Sequence, residues 1–401
     1  MISEIKNNLK LLIEKIKTHH LDGYLIPSND EFQSEYVPEH LNRLKFITGF
    51  SGSNGLALIT PTQNLFFTDG RYILQAEQEL NGLFEIHNLT DLFNKLPKLK
   101  IGYDPKLHTA LNIQRYKAFN LVASPNLVDL IWQDKKAQAT SEIFTYPLKY
   151  AGETSTSKTE KLKAYLTKDN IDALIITDPS NICWLLNIRA HDIAYNPILL
   201  SYLIFYQDGT LELFSNIPEV KNTETQCHPL NKFVERLELL KDKKVQLDPD
   251  SASIFISNNF RSPILKQDPC FMAKACKNNI EIKQAKRIHI IDGLAVTRLL
   301  YWLDKNYLNQ SEISVADKLL EFRKLNPDFI YPSFPTIAGF ASNGAIIHYH
   351  ANKKTNKTLT GNGLLLLDSG GQYFGGTTDI TRVIPIGKPS YPRLSHERLV
   401  K

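Results

Sequence analysis

The sequence predicts an α/β architecture used twice, followed by an α+β unit. Two observations carry this. The same series of features recurs in the same order at nearly constant offset, with residue 172 standing against 22 and 248 against 104, offsets of 150 and 144. Past Lys277, two long helical periodicities then give way to short strands. At 401 residues and 42% hydrophobic content the chain is long enough for two or three domains with cores of their own.

The series opens with a helix over 2–19, whose Ile5, Leu9, Leu12, Ile13 and Ile16 share one face. Glu4, Lys10, Glu14 and Lys15 run through its middle, where an export signal needs an uncharged core. Residues 22–27 then read as a short apolar strand, with Ser28-Asn29 as a turn. A hairpin follows, Leu56–Thr60 and Leu65–Thr68 around Pro61-Thr62-Gln63-Asn64, and a strand closes on Asp104-Pro105. The second series repeats this: a helix over 157–168, a strand over 172–177, a turn at Ser180-Asn181, a hairpin Leu200–Tyr206 and Leu211–Phe214, and a strand closing on Asp248-Pro249. The polar, Ser/Thr-rich stretch Gly152–Lys158 reads as the linker between the two.

In the third region Asn278, with Glu281 three residues on, forms a helix start in which the Asn side chain accepts an orphan N–H. Ile282, Ala285, Ile288, Ala295, Leu299 and Trp302 repeat at helical spacing. Ser311 opens a second helix, and Asn326-Pro327 ends it because the residue before proline avoids the helical region. Strands are expected at Ser333–Phe340, Ala345–His350, Gly363–Asp368 and Thr377–Ile384.

Composition excludes several classes. A net charge of +5 from 47 basic and 42 acidic residues, with the signs interspersed, is no nucleic-acid footprint. Cys183, Cys227, Cys270 and Cys276 form no CxxC pair, so neither a disulfide scaffold nor a zinc ribbon is expected, and the chain reads as cytoplasmic. The longest apolar stretch, Pro197–Tyr206, is half of the ~20 residues a membrane span needs, so no membrane is expected as partner.

The richest chemistry lies in Leu364–Leu367, Asp368-Ser369-Gly370-Gly371 and Gly376-Thr377-Thr378-Asp379-Ile380-Thr381-Arg382. An unbroken apolar run reads as a strand buried on both faces. It ends in a carboxylate, and after a glycine-rich reversal the chain returns with a second. Returning strands bring Asp368 and Asp379 together, where they repel unless a proton or a hard divalent cation intervenes. On the residues alone two readings stay open, a metal site or a turn-forming Asp368 with Asp379 paired to Arg382. In Asn343–His350, period-2 alternation puts His348 and His350 on one strand face. One of them could ligate a metal or serve a reacting carbonyl, or the two are a surface or hydrogen-bonded core histidine pair.

These segments, with Phe334-Pro335-Thr336-Ile337 and Gly344–Tyr349, resemble aminopeptidase P, the three-domain Xaa-Pro aminopeptidases of the creatinase/methionine-aminopeptidase superfamily (M24 peptidases). Upstream, Ser34-Glu35-Tyr36, Thr48–Ser53 and Thr68–Tyr72 resemble the first domain of that family, and Ile176–Arg189 the second. The resemblance implies two creatinase N-terminal-like α/β domains, residues 1–150 and 151–275, and then a pita-bread metallopeptidase domain. It implies hydrolysis of the bond between an N-terminal residue and a following proline, in peptides with proline at the second position. It implies two divalent metal ions, usually manganese, with Asp368 and Asp379 as metal ligands, Asp379 bridging, and His348 as the catalytic histidine near the scissile carbonyl. A homodimer is a further family expectation, and His350 matches no family role.

The family completes its metal pair with a His and two Glu far downstream of the second Asp, and only 22 residues follow Asp379 here. Residues 276–389 are therefore expected to form the first half of the pita-bread domain, with 390–401 a divergent tail in which His396-Glu397 is solvated. The expected site is incomplete in this chain, and activity is expected to need a separate chain carrying the missing half. The alternative is a non-catalytic, C-terminally truncated remnant that at most binds peptides or a second copy.

Overall fold

The computed structural model describes residues 2–92, 99–114, 116, 119–136, 141–217, 220 and 224–388. The chain divides into two compact units, Met1–Pro147 with Glu153–Cys276, and Leu148–Gly152 with Lys277–Lys401. The tail 390–401, with His396-Glu397, lies outside the described residues.

The first unit begins with α1 (Ile2–Thr18) and a six-stranded sheet of β1 (Gly23–Pro27), β2 (Leu56–Ile59), β3 (Asn64–Thr68), β4 (Glu85–Asn88), β5 (Lys100–Tyr103) and β6 (Asn120–Ala123), ordered β4-β3-β2-β1-β5-β6. Alternation along the strands supplies both faces of the core. Tyr24, Ile26, Ala57, Ile59 and Phe66 meet Ile5, Leu9, Leu12 and Ile16 of α1. Leu25, Leu56, Leu58, Leu65 and Phe67 form the opposite face with Ile101 and Tyr103.

The second series follows with α2 (Ser155–Asp169), β7 (Ala173–Ile176), α3 (Pro179–Leu186), β8 (Ser201–Tyr206), β9 (Leu211–Ser215), β10 (Gln226–Pro229), β11 (Val245–Leu247) and β12 (Ile264–Leu265). Its sheet runs β10-β9-β8-β7-β11-β12, the same order as the first. The pairing directions match too, since β7 pairs antiparallel with β8 and parallel with β11, as β1 does with β2 and β5. The recurrent sequence features thus mark a repeated topology.

Two local expectations are corrected. Ser180-Asn181 is not a turn but the start of α3, because the Asp178 side chain accepts from Ser180 N–H and Pro179 occupies the first helical turn. Gly152–Lys158 is not an open linker. Thr154 caps α2, and Lys158 is buried, its ammonium donating to Trp184 O at 2.7 Å and Asn187 Oδ1 at 2.8 Å.

In the second unit α4 (Asn279–Asn306) starts at a capping box formed by Asn278 and Glu281, and α5 (Glu312–Lys324) at one formed by Ser311 and Ser314. Two three-stranded sheets follow. One is β13 (Phe329–Pro332), β16 (Gly371–Tyr373) and β17 (Gly376–Thr377); the other is β14 (Ile337–Phe340), β15 (Gly363–Ser369) and β18 (Ile380–Ile386). Leu365 and Leu367 of β15 pack on Leu299, Leu303, Val315 and Leu319 of the two helices.

Three expectations fail here. Along β15 burial alternates, with Leu364, Leu366 and Asp368 only half-buried, so the strand is buried on one face rather than both. The helices cover one side, and on the other the short turn around Gly344 lies against Leu366. Residues 345–350 form no strand. Ala341–Ala345 is a 3-10 turn folded back onto Gly339, and His348 takes a left-handed φ of +57°. His348 and His350 therefore share no strand face. Finally, the expected strand Thr377–Ile384 is interrupted at Thr378-Asp379, where the chain crosses from one sheet to the other.

Candidate metal centre

Asp368 lies near the end of β15, in register with Ile337 on one side and Thr381 on the other. The Thr381 hydroxyl donates to its Oδ1 at 2.8 Å. Asp379 stands in the two-residue break before β18, exposed at the surface. Partial desolvation, the negative charge of Asp368 and a hydrogen bond to its carboxyl raise the Asp379 pKa above the ordinary carboxylate range. The two acids therefore repel one another, and that repulsion is what a bound cation relieves. Two carboxylates are oxygen donors of the kind hard divalent ions prefer, so the residues present fit part of such a site. Among the described residues no group of three or more His, Cys, Asp or Glu could hold a metal, so His348 does not complete a ligand set with this pair.

A buried polar network that the sequence reading missed reaches Ser369 and Thr378, the residues next to the two carboxylates. The Arg323 Nε donates to Asp292 Oδ1 at 2.7 Å and its Nη2 to Oδ2 at 3.0 Å, with Asp292 and Arg323 0% and 1% exposed. Arg323 pulls the Asp292 pKa down against the opposing effect of burial. Tyr373 OH and Thr378 Oγ1 each donate to Asp292 at 2.7 Å, and Arg323 Nη2 donates to Ser369 Oγ at 3.1 Å. The chain crossing is tight at Gly370, where a Cβ would overlap Thr378 O and Ser333 Oγ.

A second buried carboxylate, Glu312, organises the segment carrying His348. It accepts from Phe340 N–H at 2.7 Å, Lys357 N–H at 2.9 Å, the Tyr349 hydroxyl at 2.8 Å and Asn343 Nδ2 at 3.0 Å. His348 is half-buried in this turn, and His350 is exposed. Local desolvation and the neighbouring His348 ring lower the His350 pKa. A signal for these residues does exist in the sequence. Asp292 sits in step with Ile288, Ala295 and Leu299, and Glu312 and Arg323 with Val315 and Leu319, so all three charges fall on the apolar stripes of their helices.

A doubly repeated α/β unit followed by a helix-backed sheet bearing paired carboxylates defines the creatinase-fold metallopeptidase class. Residues 8–131 and 134–281 each match the Creatinase/Prolidase N-terminal domain, and residues 283–400 match Metallopeptidase family M24. Aminopeptidase P1 of Lotus japonicus is 32% identical over 98% of this chain and 73% of its own length. Xaa-Pro aminopeptidase ApepP of Drosophila melanogaster is 32% identical over 95% of this chain and 68% of its own. The crystal structure of X-prolyl aminopeptidase from Caenorhabditis elegans, described as a cytosolic enzyme with a di-nuclear active site, superposes with a TM-score of 0.88. It is 28% identical over 97% of this chain and 71% of that one. The chain belongs to the Xaa-Pro aminopeptidase (aminopeptidase P) family.

Proposed function

We propose that the chain serves metal-dependent hydrolysis of the bond between an N-terminal residue and a following proline, in peptides with proline at the second position. The observation that carries this reading is the pairing of β15 with β18, Ser369 against Ile380, which returns Asp379 beside the end of β15 that bears Asp368, inside the M24-matching region. Asp368 and Asp379 would hold two divalent ions, Mn2+ in our reading. When bound, such ions polarise the scissile carbonyl and supply hydroxide near neutral pH. The chain's own contribution is to present two oxygen donors at one end of the sheet, with Thr381 orienting Asp368. In our reading His348 hydrogen-bonds near the scissile carbonyl, held in its turn by the bonds of Asn343 and Tyr349 to Glu312. No helix among the described residues is long and apolar enough to cross a membrane, and we place the activity in the cytoplasm.

We further infer that the 401-residue polypeptide by itself turns over no Xaa-Pro peptide, because two carboxylates leave most ligand positions on two ions to water. We expect activity to return with a second chain carrying the His and two Glu, and this polypeptide to pair with a second copy of itself. The test is hydrolysis of an Xaa-Pro peptide by the purified polypeptide with Mn2+, alone and with that second chain. The expected result is activity only in the mixture, abolished by Asp379→Ala. Robust cleavage by the polypeptide alone would refute the ligand accounting, and inactivity of the mixture would favour a non-catalytic module.

A further inference from the structure

Each carboxylate of the candidate centre has a buried hydroxyl residue beside it in the chain. Successive residues of a strand point to opposite sides of the sheet. Ser369 follows Asp368 in β15 and so faces the other way, while at the break before β18 it is burial that separates the neighbours: Thr378 is buried and Asp379 exposed, and Ser369 and Thr378 are 0% and 1% exposed. Arg323 grips Ser369 Oγ, and Asp292 accepts from Thr378 Oγ1. The two gripping side chains are themselves locked together by two charge-assisted bonds. Neither Thr378 nor Asp379 belongs to a strand, so no ladder fixes the backbone just before β18. The crossing is held by Thr378 N–H donating to Gly371 O and Gly371 N–H donating to Thr378 Oγ1.

The geometry points to the Asp292–Arg323 pair as the positioning device of the metal centre. One helix residue fixes the peptide beside Asp368, the other the peptide beside Asp379, and their mutual bonds set the spacing of the two carboxylates. An apolar pair would fill the same core space and often be no less stable, but it could not hold two hydroxyls at a defined separation. This inference rests on the metal reading of Asp368 and Asp379.

Its test is Mn2+ binding to the full 401-residue chain, followed by electron paramagnetic resonance of the free ion, together with thermal unfolding of each variant. Thr378→Val keeps the side-chain shape and removes the hydroxyl that reaches Asp292. It should lower Mn2+ affinity on the order of 10-fold, the scale of outer-shell losses at metal sites, and Thr378→Ser should restore it. Ser369→Ala should act in the same direction from the other strand and replaces Thr378→Val if that variant does not fold. Leu299→Val, which trims the same core without touching the pair, should lower stability and leave affinity alone. If Asp379→Asn abolishes binding while Thr378→Val and Ser369→Ala bind as wild type, the positioning role is overturned and the metal reading stands. The role is likewise overturned if affinity tracks stability through Leu299→Val. If Asp379→Asn binds as well as wild type, the metal reading itself fails and takes this inference with it.

Discussion

Gly370→Ala should be among the costliest small substitutions in the second unit. The glycine lies where β15 hands over to β16, directly under the Thr378-Asp379 crossing. A Cβ there would overlap Thr378 O and Ser333 Oγ and stand 2.9 Å from the Thr378 carbonyl carbon. Two of these obstacles are backbone atoms and cannot rotate away, so the strands must part. Parting them strains the Ser333 Oγ bond to Thr378 O at 2.9 Å, the Thr378 N–H bond to Gly371 O at 3.0 Å and the Gly371 N–H bond to Thr378 Oγ1 at 2.9 Å. Overpacking costs about 1–3 kcal/mol and two lost hydrogen bonds about 1 kcal/mol each, giving a loss of about 3–5 kcal/mol. Urea unfolding followed by a probe in the second unit measures it. Gly293→Ala is the internal contrast. Gly293 lies inside α4 with nothing within 4 Å of a new Cβ, so that change should stabilise by about 0.5–1 kcal/mol through helix propensity. A Gly370→Ala midpoint equal to that of wild type would refute the reading of the crossing as closely packed. A loss from Gly293→Ala equal to that of Gly370→Ala would show that backbone freedom, not overlap, governs both.

His108 is 3% exposed among Tyr103 and Tyr116, and burial lowers its pKa from 6.5 to about 4. The folded state therefore favours the neutral ring, so this stability is present above pH 6.5 and is lost as pH falls toward 4, about 3 kcal/mol in all. In His108→Phe, urea midpoints at pH 7 and pH 4.5 should differ less than in wild type, and an unchanged difference would clear His108 of the effect. Tyr349→Phe removes a donor from the buried Glu312 carboxylate. It should cost about 1–3 kcal/mol and speed amide exchange across 341–350; unchanged exchange there would show that Glu312 does not hold the turn. Lys158→Met loses the ammonium bonds to Trp184 O and Asn187 Oδ1 and should cost about 2–3 kcal/mol, read as a lower thermal midpoint of the first unit. A neutral result would mean that the buried charge contributes nothing beyond its methylenes.

Much of this protein was determined by local sequence. Helix starts follow from side chains that cap their own backbone, so the Asn278–Glu281 box and the Ser311 cap were legible from residue type and spacing. The two α/β series were legible from features recurring in one order at offsets of 150 and 144, and the return of Asp379 toward Asp368 from a strand, a glycine-rich reversal and a second strand. Where sequence reasoning failed, the deciding contact was distant. Ala345–His350 alternates like a strand, yet Glu312, some thirty residues earlier, draws Asn343 and Tyr349 into its cage and leaves no ladder partner for the segment. The β-branched run from Thr377 reads as continuous, yet Thr378 is captured by Asp292 across 86 positions and breaks it. Leu364–Leu367 looks buried on both sides because apolar side chains do not announce which face will be covered; the two helices cover one. Period and capping are properties of a few neighbouring residues, so the sequence carries them. A buried charge reveals its role only when the fold shows which hydroxyl or N–H it was buried to hold.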